Sequence, residues 1–148
     1  MSLPPLIDTQ AVRERIGSYA DRTTIEDRNA IYRELIGFVP PRIAARMAVT
    51  GALDPALLDM QEKMREHAMY PKCFDVKTAQ LMLFGMLLMD MSDAAQLHAI
   101  AARRAGASWE ELQAVISLCF LFRGLPAANR GAEMLANLAA REKAASPS

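Results

Sequence analysis

Apolar residues recur along this chain at helical spacing, and no stretch alternates in the way a half-buried strand would. Thr24-Ile25-Glu26-Asp27 opens a first helix that runs through Ile31 and Leu35 to Gly37. Pro40-Pro41 starts a short one through Ile43, Ala44 and Met47, ending near Gly51. Asp54-Pro55 pairs an N-cap with proline at the first helical position, ahead of an amphipathic helix through Leu58, Met64 and His67. Asp75 caps a helix that is apolar nearly all round from Leu81 to Met89, as a central helix would be. Ser92 and Gly106 bracket the next as N-cap and C′ residues. Ser108-Trp109-Glu110-Glu111 is a capping box for a second nearly all-apolar helix that ends at Gly124. Pro126 opens the last, through Leu135 and Leu138. The pattern predicts an all-α protein of seven or eight helices with short connections.

A length of 148 residues suits one domain, taken as 1–148 and best defined over 75–138, with 1–10 and 142–148 expected to be flexible. The composition, 52% apolar and 23% charged, describes a soluble globular chain with much buried surface. Formal net charge is zero, which speaks against nucleic acid or an anionic membrane as a partner. No basic region followed by a long apolar segment stands at the N-terminus. The apolar run 81–89 is far short of the roughly 20 residues a spanning helix needs. The expected location is the cytoplasm.

Candidate chemistry is sparse. With two histidines and two distant cysteines, no metal-ligand cluster and no Cys-x-x-Cys exist. Cys119 sits in an apolar run and reads as a small core hydrophobe, whereas Cys73 lies in the turn Tyr70-Pro71-Lys72-Cys73. His67 lies among charged residues and reads as solvated. His98 stands out. At about 100° per residue it shares a stripe with Ala94, Ala101, Ala102 and Ala105. An imidazole amid alanines is either buried, bonded to a backbone carbonyl, or lines a space that small residues leave open. Met82, Met86 and Met89 form a deformable stripe that suits core, pocket wall or subunit interface.

Taken in order, Asp75-Val76-Lys77-Thr78, His98, Arg103-Arg104-Ala105-Gly106-Ala107, Trp109-Glu110-Glu111-Leu112 and Gly124-Leu125-Pro126-Ala127-Ala128-Asn129 resemble the carboxymuconolactone decarboxylase and alkylhydroperoxidase D family. The resemblance implies an alkylhydroperoxidase D-like bundle and a homotrimer or homohexamer with sites near subunit boundaries. The peroxidase branch carries a Cys-x-x-Cys ahead of the histidine; here Met91 and Ala94 hold those places. Its proton-relay glutamate falls at Ala79 or Gln80 and is missing too. The histidine survives, which sets the chain nearer the decarboxylase branch.

That branch implies a cofactor-free carbon–carbon lyase acting on a small carboxylated lactone or unsaturated cyclic acid, as in aromatic compound catabolism. His98 would be the general acid/base. Arg123 and Arg130 are candidates to hold the substrate carboxylate, with Arg103 and Arg104 as second choices. Asp93 is a first-turn acid or a second catalytic group, and Tyr70 can reach a pocket from its loop. The competing expectation is an oligomeric ligand-binding or scaffold protein that kept the fold without the chemistry.

Overall fold

A computed structural model describes residues 25–145. The expectations for 1–10 and 146–148 lie outside the described residues. Seven helices and no strand occupy the described part: α1 Ile25–Ile36, α2 Pro41–Leu53, α3 Pro55–Met69, α4 Val76–Met89, α5 Ala95–Arg104, α6 Trp109–Arg123 and α7 Leu125–Ala145. The fold is all-α, of the alkylhydroperoxidase D-like kind. Residues 25–75 belong to one compact unit and residues 76–145 to another. No described helix is long and apolar enough to cross a membrane.

In the first unit, Ile31, Tyr32, Leu35 and Ile36 of α1 are buried, as are Met47 of α2 and Leu58 of α3. Gly37, at φ 95°, ends α1 in the conformation that glycine adopts without strain. Helix α2 runs past the expected stop at Gly51. A side chain there would meet Ile25 and Leu58 at 3.1 and 3.2 Å, so that glycine serves close packing rather than termination. Asp54 caps α3 by accepting from Leu57 N at 2.9 Å.

Helix α3 corrects the expected amphipathic face. Met64 is exposed by 74%, His67 is exposed as its charged surroundings implied, and the buried residues are Leu58, Glu62 and Glu66. These stand at i, i+4 and i+8, so the inward stripe of α3 carries two carboxylates. Glu62 has no exposed surface and is surrounded by donors. The Tyr32 hydroxyl donates to its two oxygens at 3.1 and 3.3 Å, Arg65 donates through Nε and a terminal nitrogen at 3.2 and 3.1 Å, and Arg46 donates from α2. Arg65 also stacks on the Tyr32 ring, 4.4 Å from its centroid. One turn back, Arg28 donates to Asp59 at 2.7 Å.

In the second unit, α4 buries Val76, Ala79, Gln80, Phe84 and Leu88, and α5 buries Ala95, Ala99, Ile100, Ala101 and Ala102. The end of α4 is a Schellman turn: Ser92 N donates to Leu87 O at 2.9 Å and Met91 N to Leu88 O at 3.0 Å. Its left-handed position, usually glycine, holds Met91 at φ 56°. Residues 92–94 then make i→i+3 turns, so regular α5 starts at Ala95 although Ser92 Oγ does accept from Ala94 N at 3.2 Å. A second Schellman turn closes α5 at Gly106, φ 94°. Ser108 and Glu111 form the expected capping box of α6. Buried Gly131 lets α7 press on α6, since a Cβ there would lie 2.6 Å from Ile116 Cγ1.

Helix α7 continues to Ala145, into the tail. Glu142 accepts from Arg103 at 2.9 and 3.0 Å, and the Arg103 guanidinium lies 4.3 Å above the Trp109 ring. The two helices expected to be apolar all round leave much of that surface open. Met82 and Met86 of α4 and Leu118, Phe120, Leu121 and Phe122 of α6 are exposed, Phe122 by 84%.

The Glu62 network sets an acid limit on stability. Burial raises the Glu62 carboxyl, but Arg65 and Arg46 outweigh it and hold it below its usual value. A carboxyl lowered in the folded state contributes stability above its unfolded pKa, and that contribution is lost as pH falls through the folded pKa. Glu62→Gln should therefore lose about 3 kcal/mol near neutrality, because Arg46 loses its carboxylate and Arg65 keeps only Glu66 at 3.3 Å. The loss should shrink in acid, and denaturant melts of both proteins between neutral pH and about pH 3 measure it.

Candidate functional site

The small-residue face of α5 is what brings a polar pair together in the second unit. Ala95, Ala99 and Ala102 have no exposed surface, so nothing larger than a methyl group separates their backbone from its neighbours. His98 stands at the margin of this face, half-buried, with Ala94 and Ala105 part-exposed on the same stripe. Across from it, Gln80 of α4 is fully buried, and its Oε1 lies 2.8 Å from His98 Nδ1. In that arrangement Nδ1–H donates to the amide oxygen. Such an imidazole can accept a proton on Nε2 and pass it on without losing its orientation.

Of the two positions at which the relay glutamate falls, Ala79 offers no polar group and Gln80 is the one whose side chain reaches His98. It was legible as the last polar side chain before the apolar run of α4, but only the helix pairing aims it at His98. Its Nε2 is buried and has no hydrogen-bond partner.

The other residues singled out in the sequence have different surroundings. Asp93 precedes α5 and forms an ion pair with Arg130 of α7, and Arg130 also donates to Glu133 at 2.8 Å. Hydrogen bonds to Glu133 and then Asp93 hold the Arg130 guanidinium above its usual value, so it is a committed cation. Arg123 ends α6, exposed, with no ion pair among the described residues. Arg103 is held by Glu142 and by the carbonyl of Ala107, and Arg104 is buried. Tyr70 belongs to the first unit, where its hydroxyl is buried without a partner. Burial pushes that hydroxyl well above the ordinary phenol range despite the nearby Arg65, so it stays protonated. Sequence reading missed the Glu62 network altogether.

Neither thiol has a nearby partner of its own kind. Cys73 is free and exposed. Cys119 is free and buried, its Sγ 3.5 Å from Gly85 O, and burial raises its thiol pKa. Among the described residues no group of three or more His, Cys, Asp or Glu is placed to hold a metal ion.

No curated protein and no solved structure matches the chain significantly. A family model does. It starts in α3 and ends in α7, so it takes in the turn at Met91, Gln80, His98 and the capping box of α6. On that match, which covers residues 55–137 and so more than half of its length, the chain belongs to the carboxymuconolactone decarboxylase family.

Proposed function

We propose that the protein is a cofactor-free carbon–carbon lyase that decarboxylates a small unsaturated cyclic acid or carboxylated lactone, with His98 as general acid. The observation that carries this is the part-buried imidazole whose Nδ1 is held by Gln80 Oε1 at 2.8 Å, which fixes the orientation of the ring. As the bond to the carboxylate carbon breaks, CO₂ departs and the electron pair moves through the conjugated system onto the carbonyl oxygen. His98 takes a proton from solvent on Nε2, and the imidazolium gives that proton to the enolate at carbon, which returns the ring to its neutral form. Arg123 is the favoured carboxylate anchor, because Arg130 and Arg103 are already engaged by acids. Asp93 is spent on Arg130, which leaves it an orienting rather than a proton-transferring part.

A second reading, a ligand-binding protein that converts nothing, draws support from Gln80, since an amide cannot relay a proton as a carboxylate does. The two diverge on one measurement. His98→Ala should retain the fold and reduce turnover of an accepted acid by about 10²-fold or more, the usual contribution of a positioned acid/base. Binding without turnover in the wild type selects the second reading.

Thiol peroxidase activity is disfavoured, because Met91 and Ala94 stand where that chemistry needs a nucleophilic and a resolving thiol. Reductant-dependent peroxide consumption should stay at background, and a rate abolished by Cys73→Ser would contradict this.

We further propose that copies of the chain assemble through the apolar surface of α4 and α6, as a homotrimer or homohexamer. Exposed residues such as Met86, Leu121 and Phe122 resemble an obligate interface more than a solvated face. Light scattering should give a mass several times 16.3 kDa at micromolar concentration, little changed by salt. A monomer at that concentration would refute it.

A further inference from the structure

A buried amide with one end satisfied and the other not is an unusual thing to retain. Gln80 has no exposed surface, its Oε1 faces His98 Nδ1 at 2.8 Å, and its Nε2 has no partner. Leaving such a donor unmet is destabilising, and an apolar residue of the same shape would avoid that cost. Its neighbours along α4, Val76, Ala79 and Phe84, are buried and carry no acceptor side chain. An acceptor from outside the chain therefore fits the amide best. The two ends of one carboxamide lie side by side, so a group that meets Nε2 also lies beside the imidazole.

We propose that Gln80 is the oxyanion donor and specificity-determining residue of this site. Its Oε1 sets the His98 tautomer while its Nε2–H donates to a carboxylate or enolate oxygen of the ligand. The inference rests on His98 being the working group of the proposed lyase, and it adds what selects the ligand. A glutamate here would present a negative charge to the incoming anion and would stabilise the imidazolium. The amide does neither, so the pair favours a ligand with anionic oxygen over a cation. It also makes the missing glutamate a change of ligand chemistry rather than a plain loss.

The test uses the full ¹⁵N-labelled chain and benzoate, a planar carboxylate conjugated to an unsaturated ring, with benzamide as its uncharged counterpart. In the free protein His98 Nδ1 should give a pyrrole-type and Nε2 a pyridine-type nitrogen shift. Benzoate should move the Gln80 side-chain amide proton signals downfield, and benzamide should move them far less. Gln80→Glu should weaken benzoate binding about tenfold or more, the worth of one hydrogen bond to a charged group, and move the His98 titration midpoint to higher pH. Gln80→Met, which fills similar volume without a donor, should also weaken benzoate and should abolish the tautomer preference. A pyridine-type Nδ1 would mean that the amide is turned over, and would overturn the proposal. So would Gln80 amide signals that ignore benzoate, or Gln80→Glu binding it as the wild type does. Full turnover by folded His98→Ala would sink the lyase reading alone, because none of these spectra depends on turnover.

Discussion

The close seating of α5 against α4 is the constraint from which the second unit follows. A helix whose inward positions are Ala95, Ala99, Ala101 and Ala102 can approach its neighbour further than one lined with leucine. That approach puts a buried amide within a hydrogen bond of an imidazole on the adjacent helix. Ala99 and Ala102 are fully buried, so a larger residue at either has no room without moving its neighbours. Packing and chemistry are here the same requirement.

The first unit is organised on the opposite principle. Its α3 turns a carboxylate inward, and Tyr32, Arg46 and Arg65 from three helices converge on it. A buried ion pair gains little net stability over an apolar substitute, but it is exacting about geometry. Only one register of α1, α2 and α3 lets all three donors reach Glu62 together. The network thus selects an arrangement that apolar contact alone, with so few large core side chains, would specify weakly.

How much of this was legible depended on whether the signal was local. The capping box at Ser108, the aspartate at Asp54 and the glycine stops at Gly37, Gly106 and Gly124 act over a few residues, and the helices begin or end there in the structure. The order of motifs around His98 likewise pointed to the family, and the family model matches. What was hidden depends on partners far along the chain. Met64 looked like core and Glu62 drew no attention, because hydropathy carries no record of Arg46, Arg65 and Tyr32 nearby. Gln80 looked like an absent glutamate until the helix pairing gave it a role of its own. Gly51 looked like a stop, though it is a point of contact.

The turn at Met91 carries a consequence for how this scaffold can change. Its shape is held by main-chain bonds, Ser92 N to Leu87 O and Met91 N to Leu88 O, with no side chain of residue 91 taking part. Residue 91 therefore answers to a backbone demand, tolerance of a left-handed conformation, which any unbranched side chain meets at a similar modest strain. Sulfur, thioether or methyl can be exchanged at that corner while α4 and α5 keep their relation and His98 keeps its place. A frame of this kind separates what is conserved in form from what is replaceable in reactivity.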